Sequence, residues 1–543
     1  MGGDMNSSFF HRSVRIRRYH NSITHLTDHN GRECFDSHSI DNMLVGHFNS
    51  LWNNPDARPL NWFLKALPPD LPTLSSDQQL SLTRPVTKDE IYTNFFDNAV
   101  MPRAWVGKEQ SGFVSSHSPV DNIIAVQEMI HSINYEKCFP RRMLVKVDIE
   151  KAYDTLNWKP SDCLVALNLV AILNKARSLD LIPGFSSRLR NNFNHLMYAD
   201  DLMLVSAASR KSARNICFCL TMYAHLTGQF PNKLKSEIYF PEWFNNQVST
   251  RICKILNFRL GKVPFTYLGV LISHKRLATA HFDSMINRMN LAIAEWDKAH
   301  LSKAGKSILI NSILMASPIY YLSVYPIPDT VLTKLSSIVR KFLWANSDLG
   351  KGMPLVSWDT VTSCKSEGGL GIRNLLKVKH SLMAKNLFNF LNKQDALWVD
   401  ILYLKYGDPN FWSLNTPPNC SAFFKGLNIT AYVLKTYLWI KTLNLVLTSF
   451  WHHPWMFDIP ITFKPVFINM DLNLDNLKID DLLTNSSLNL NALNTMFGFN
   501  WDSPILSYGE INTEENNHWI WFPASQGNKI TASVYTFPDE QTC

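Results

Sequence analysis

The chain has 543 residues, 46% hydrophobic and 18% charged, with a formal net charge of +8. Such a balance excludes a disordered chain and gives enough length for two or three domains with sizeable cores. The mild positive charge is compatible with a polyanionic partner without specifying one, and nine cysteines, an odd count with no Cys-x-x-Cys spacing, fit a reduced intracellular compartment rather than a disulfide framework.

In chain order, the first fifteen residues hold no apolar core, so no signal peptide is expected. Arg12, Arg15, Arg17 and Arg18 crowd one short basic segment, which serves equally as a phosphate contact or as a solvated helix face. Pro59 to Ser75 is proline-rich and predicted irregular. From about residue 98 to 275 the pattern is mixed α/β. Met143 to Val147 predicts an apolar strand, and Val165 to Ala176 an apolar helix. Leu196-Met197 and Leu202-Met203-Leu204-Val205 flank Tyr198-Ala199-Asp200-Asp201 and predict a β-hairpin with the aspartates at its tip. Cys217 and Cys219 lie on an apolar helical run and read as buried side chains rather than metal ligands.

From His281 to Lys405 apolar residues recur at spacings of three and four, predicting helices. Trp296, Phe342, Trp344 and Trp398 within this stretch are expected in the core rather than as base-stacking platforms. Ser307 to Pro328 carries no charge, but Asn311, Pro318 and several serines, with Ile308, Ile310, Ile313 and Leu314, predict a packed amphipathic helix instead of a membrane span. The remainder is rich in Asn and Leu. His452-His453 has no partner at ligand spacing, so zinc is not expected there, and no tandem repeat is present.

The residues that carry chemistry are three carboxylates. Asp148 ends the Met143–Val147 strand, and Asp200 and Asp201 sit at the hairpin tip. Three carboxylates meeting on one sheet is the arrangement that two-metal nucleotidyl transfer needs, with hard ions such as Mg²⁺ preferring carboxylate and phosphate oxygens to Cys or His. A Tyr-x-Asp-Asp string alone is a weak signal, because an Asp pair also suits a solvated turn. The strand and the Lys146-Val147-Asp148-Ile149-Glu150-Lys151-Ala152-Tyr153-Asp154 run upstream strengthen it.

That pair of motifs resembles motifs A and C in the palm of reverse transcriptases, most closely those of plant LINE-type (non-LTR) retroelements. The order of further, individually weak matches follows the same family. Gly3 to His11 is similar to the segment after the endonuclease. Ser111-Gly112-Phe113-Val114 with Asp121-Asn122-Ile123 and Gln127-Glu128 is similar to the fingers-to-palm approach. Gly228, Asn232 and Lys235-Ser236 resemble motif D, and Pro264 to Val270 motif E. Leu301 to Lys306 with Pro318 to Tyr321 resembles the thumb side, and Trp358-Asp359 with Gly368-Gly369-Leu370-Gly371-Ile372 the block after it. The fold implied is α/β: a right-hand polymerase palm and fingers remnant followed by a mostly α-helical thumb and C-terminal region. The implied divisions are 1–97, a basic connector and partial fingers lead-in; 98–275, fingers and palm; 276–405, a helical thumb; and 406–543, a C-terminal region truncated before a zinc-binding segment.

By that resemblance Asp148, Asp200 and Asp201 would bind Mg²⁺ (or Mn²⁺), with backbone carbonyls of Val147 and Ile149 nearby. Tyr153 would be the steric gate against a ribose 2′-hydroxyl, with Tyr198 also at the nucleotide, although Tyr153 is equally suited to core packing. Lys235 would donate a proton to pyrophosphate, although the loose spacing there favours an ordinary surface lysine. Tyr267-Leu268-Gly269 would be the primer grip. The implied activity is RNA-directed DNA polymerase. Its partners are an RNA template, a DNA primer and deoxynucleoside triphosphates, with no membrane, in an intracellular and nuclear setting expected from the family alone.

The sequence departs from the family in two places. Only 52 positions separate Asp148 from Asp200, and no Gln-Gly pair lies between them, so the Gln-Gly-Asp-Pro-Leu-Ser-Pro block of the family is missing. A second gap falls near Phe95-Phe96-Asp97, where basic fingers strands would sit. The alternative expectation is therefore a catalytically inactive remnant that at most binds nucleic acid, with a marginally stable palm.

Overall fold

The computed structural model describes residues 25–27, 33–52, 109, 118–135, 141–150, 165–185, 193–294, 296, 301–345, 353–407, 416–441, 450–451, 453, 461, 477–484, 487–497, 518–521 and 530–535. The Arg12–Arg18 cluster, Pro59–Ser75, the gap near Phe95, Tyr153 and His452 lie outside these residues.

A mixed five-stranded sheet organises the first half. Helix α1 (Pro119–Tyr135) precedes strand β1 (Arg142–Val147). Then come α2 (Val165–Ser178), the hairpin β2 (His195–Tyr198) and β3 (Asp201–Ala207), α3 (Arg210–Thr227), β4 (Glu237–Tyr239), α4 (Asn246–Leu256) and β5 (Arg259–Leu260). The spatial order is β2-β3-β1-β4-β5, antiparallel except for the parallel β4–β5 pair. A strand sends successive side chains to opposite faces, and here the two faces meet two different cores. Met143, Val145, Val147, Met197, Leu202, Leu204 and Ile238 point to one face, where α2, α3 and α4 cover them. Leu144, Leu196, Met203, Val205 and Tyr239 point to the other, against α1. Apolar residues at nearly every position are what a sheet buried on both sides requires.

Local chemistry sets the ends of these elements. Ser209 caps α3, its hydroxyl accepting from the Ser212 N–H at 3.1 Å, and Gly228 ends the helix at φ 74° in the left-handed region that glycine enters without steric cost. Asn245 caps α4 through the N–H groups of Gln247 and Val248. Cys219 is buried on α3 and its thiol is pushed up to about 11 by burial, as expected of a core cysteine.

A short hairpin, β6 (Phe265–Tyr267) and β7 (Val270–Ile272), leads into the helical half. Its helices are α5 (Asp283–Ala294), α6 (Lys303–Leu309), α7 (Ala316–Leu322), α8 (Asp329–Trp344), α9 (Trp358–Thr362), α10 (Leu375–Leu391), α11 (Leu397–Tyr406), α12 (Ala422–Leu434) and α13 (Ile530–Tyr535). The uncharged 307–328 stretch is not one long helix: a π-turn over Ile310–Leu314 separates α6 from α7. No helix among the described residues is long and apolar enough to cross a membrane. Phe342, Trp344 and Trp398 are buried, and Trp296 packs on Phe342 with ring centroids 5.3 Å apart. In the Gly368-Gly369-Leu370-Gly371 block, a Cβ on Gly369 would fall 2.1 Å from the Ser363 carbonyl oxygen, so only glycine fits there.

Helix α1 joins the two halves and is buried along most of its length. On its sheet side the Asn122 Nδ2 donates to the Met197 carbonyl at 3.2 Å. Towards the helical half the Trp398 Nε1 donates to Asp121 Oδ1 at 2.8 Å, and Lys405 Nζ lies 2.6 Å from Glu128 Oε2. The Lys405 and Glu128 side chains are 5% and 0% exposed, and the Ser421 hydroxyl donates to the second carboxylate oxygen.

Candidate functional site

The two-residue connection Ala199-Asp200 closes the β2–β3 hairpin, with Tyr198 and Asp201 directly opposite each other. Such tight connections require positive φ, and Ala199 supplies it at 53°. Strand β1 pairs with β3 in the register Val147↔Leu202, so the next residue, Asp148, emerges beside Asp201 at the same end of the sheet. Asp200 is exposed, while Asp148 and Asp201 are half-buried. The three charges act on one another. Burial pushes the Asp201 carboxyl above its ordinary value; Lys146 opposes the shift, and Asp200 and Asp148 add to it.

The turn after α3 wraps Asp148. The Asn232 N–H donates to the Asp148 carbonyl at 2.7 Å, and the Asp148 N–H donates to Ser236 Oγ at 3.1 Å. The Asn232 side chain accepts from the N–H groups of Leu234 and Lys235, an Asx-turn that fixes the following residues. Ile149 lies opposite Pro231 in a non-hydrogen-bonded pair, so its own backbone groups point away from the 230–232 segment, whereas Val147 remains in the ladder with Leu202. Lys235 is 71% exposed, yet its Nζ lies 3.9 Å from Asp148 Oδ2. The residue is thus solvated and lies beside Asp148.

The β6–β7 hairpin adjoins the same edge. Leu268 and Gly269 form its two-residue turn, both at positive φ (45° and 79°). The Lys146 Nζ donates to the Thr266 carbonyl at 3.0 Å, and the Tyr320 phenol of α7 donates to the Leu268 carbonyl at 2.8 Å. Tyr267 is buried; burial pushes its phenol far above the ordinary range, and the charge of Asp201 adds to this. Tyr198 acts on both Tyr267 and Tyr320 in the same sense. The structure thus gathers Asp148, Asp200, Asp201, Lys235, Tyr198 and the Tyr267–Gly269 turn around one end of the sheet; Tyr153 lies outside the described residues.

Carboxylate oxygens in this number match the donor preference of a hard divalent cation. Mutual repulsion at Asp201 is the electrostatic condition that a cation would relieve. Among the described residues, however, no group of three His, Cys, Asp or Glu side chains is arranged to hold a metal ion. The expected three-carboxylate meeting is therefore a shared edge rather than a closed cage. Nothing local in the sequence around Asn122 or Tyr320 signals a bond to Met197 or Leu268. The contacts run over 75 and 52 positions respectively.

Comparisons with known proteins find partial similarity. No family model matches the chain. A protein of Arabidopsis thaliana named "putative ribonuclease H protein" is 30% identical over 135 residues, which is 25% of this chain and 22% of that protein. An uncharacterized mitochondrial protein of the same plant is 28% identical over 93 residues, 17% of this chain and 60% of the relative. The chain spans less than two thirds of the length of each.

Proposed function

We propose that this chain is a retroelement-derived nucleic-acid enzyme: the RNA-directed DNA polymerase of a LINE-type element, with palm and thumb retained. The observation that carries the reading is the end of the five-stranded sheet, where β1 and the β2–β3 hairpin bring Asp148, Asp200 and Asp201 together beside Lys235. The name of the first relative also speaks of a nucleic-acid enzyme. Its named activity differs from polymerisation.

In this reading Asp148, Asp200 and Asp201 would hold Mg²⁺ or Mn²⁺, which would supply activation of a hydroxyl nucleophile and neutralisation of leaving-group charge. The chain's own residues position and donate. Asn232 and Ser236 fix the backbone of Asp148. Lys235 Nζ, solvated and 3.9 Å from Asp148 Oδ2, would give a proton to the departing pyrophosphate. The rigid Leu268-Gly269 turn, held from α7 by Tyr320, seats the primer end. Tyr198 faces the incoming deoxynucleoside triphosphate, and Tyr153 is assigned the gate by resemblance.

A second reading, a catalytically inactive remnant that binds nucleic acid, is favoured by the missing block between Asp148 and Asp200 and by the open arrangement of the carboxylates. Primer extension separates the two. The purified chain is given an RNA template, a DNA primer, deoxynucleoside triphosphates and Mg²⁺ or Mn²⁺, beside an Asp200→Ala/Asp201→Ala variant. Extension lost in the variant supports the polymerase. No extension by folded chain that still binds primer–template supports the remnant.

A further inference from the structure

A cavity of about 960 Å³ lies between α7, α10 and α13, away from the elements that carry the carboxylates. Its floor is the stripe Val378, Ser381, Leu382, Lys385 and Asn389 on α10, one face of the helix at spacings of three and four, roughly 16 Å long at the helical rise. Ile319 of α7 and Ile530 of α13 add apolar wall. The Tyr535 phenol accepts from the Asn374 N–H at 2.9 Å and ties α13 to the start of α10.

The polar lining is one-sided. Arg373 and Lys385 both face the cavity, and no Asp or Glu among the described residues lines it. Neither cation has a carboxylate partner among the described residues, in contrast to Lys379 on the same helix, which pairs with Asp329 at 2.7 Å. The side chains of Asn389 and Thr531 likewise have no hydrogen-bond partner there. An apolar slot with two uncompensated cations, an amide and a hydroxyl describes its own ligand: an anion carrying a flat, partly apolar body with hydrogen-bonding edges. An aliphatic tail would leave the amide and hydroxyl unsatisfied, at a cost in free energy. The volume lies within the range of small-molecule sites.

We propose that this cavity binds a nucleotide unit, its phosphate on Arg373 and Lys385 and its base over Leu382 and Ile530 with its edge on Asn389. The unit is either a free nucleotide or one residue of a single strand, and the proposal does not rest on the polymerase reading. The test uses the full chain, calorimetry with dAMP, and anisotropy of fluorescein-labelled oligo(dT) of eight residues. The Arg373→Ala/Lys385→Ala variant is expected to weaken binding about tenfold or more, the size of a lost charge-assisted contact. Asn389→Asp, similar in volume but adding a like charge to the phosphate, should weaken it as well, and Lys334→Ala, an exposed cation on α8 outside the cavity lining, should leave it unchanged. All these side chains are at least partly exposed, and circular dichroism checks that each variant folds. dAMP binding lost in the double variant identifies a free-nucleotide site; oligo(dT) binding alone, lost in the same variant, identifies a strand contact. Absence of both, equal binding by the double variant, or decyl sulfate binding tighter than dAMP overturns the proposal.

Discussion

Two charged clusters in this molecule are built on opposite principles. At the end of the five-stranded sheet, three carboxylates share a half-exposed edge with Lys146 and the solvated Lys235, and Asp201 is left under pressure to take up a proton. Between α1 and α11, Glu128 and Lys405 are buried and fully answered: Ser421 takes the second carboxylate oxygen, and the Lys405 Nζ also reaches His131 Nδ1 at 3.1 Å. Burial alone works against the Lys405 charge, but Glu128 outweighs it and the lysine pKa is raised. One cluster is electrostatically complete and joins two halves of the fold. The other keeps more carboxylates than lysines and stays open to water, which suits a site that recruits cations and phosphates from outside.

The sharpest way to break the contrast is at the open cluster. Replacing Asp200 and Asp201 by Ala should abolish primer extension, a loss of about 4 kcal/mol or more of transition-state stabilisation by the scale of other electrostatic stabilisers. Thermal stability should hold or rise, because the substitution removes repulsion rather than a bond. A variant that keeps extending primers would sink the assignment of the edge as catalytic.

At the closed cluster the expected order is reversed. Lys405→Met leaves Glu128 buried without a cation and should cost about 3–5 kcal/mol of folding stability in denaturant titration, while Glu128→Leu/Lys405→Met should recover a large part of it. A stabilised single variant would show that the pair does not hold α1 against α11. This joint is invisible in the sequence. The pair bridges 277 positions, and a charged residue inside an apolar helix carries no local sign of which distant cation answers it.

Other parts of the molecule were legible. The Met143–Val147 strand, the hairpin tip, the Val165–Ala176 helix (Val165–Ser178 in the structure) and the helices after His281 follow from periodicity alone, because each buries a face against a neighbour. The site was legible as residue types on strand ends. Its supports were not: Ser236 reaches Asp148 across 88 positions, and the π-turn at Ile310–Leu314 interrupts a stretch whose composition promised a single helix.

Acid should separate the two halves by a smaller margin. Burial lowers the His131 pKa to about 3, with Lys405 and His274 adding to it, and lowers His195 to about 4, where Glu109 opposes the shift and Arg177 adds to it. Both histidines are neutral in the fold and take up protons more readily when unfolded. The stability they contribute is therefore whole above about pH 6.5 and is lost as pH falls towards their folded values. For fully buried His195, moving from pH 7 to pH 4.5 should cost roughly 2–3 kcal/mol. Asp201, shifted the opposite way, contributes below the ordinary carboxylate pKa and loses that contribution as pH rises through its folded value. Denaturant titrations of the wild type and His195→Phe at both pH values test this; an unchanged slope in the variant would clear His195 of the effect.

The smallest expected effect tests whether the open cluster is positioned at all. Ser236 is buried, and its Oγ accepts the Asp148 N–H at 3.1 Å while its own N–H donates to the Asn232 carbonyl at 2.9 Å. In Ser236→Ala the Asp148 N–H loses its acceptor, worth about 1 kcal/mol. If the bond only stabilises the fold, the melting temperature drops by a few degrees and the metal dependence stays as it was. If it holds Asp148 where a cation is bound, the Mg²⁺ concentration for half-maximal extension, or the Tb³⁺ concentration for half-maximal luminescence at the edge, should also rise about fivefold. Ser236→Thr, which keeps the hydroxyl, should bring it back towards the wild-type value. A shift in melting temperature without a shift in metal dependence would place Ser236 with the closed cluster, as architecture rather than as part of the site.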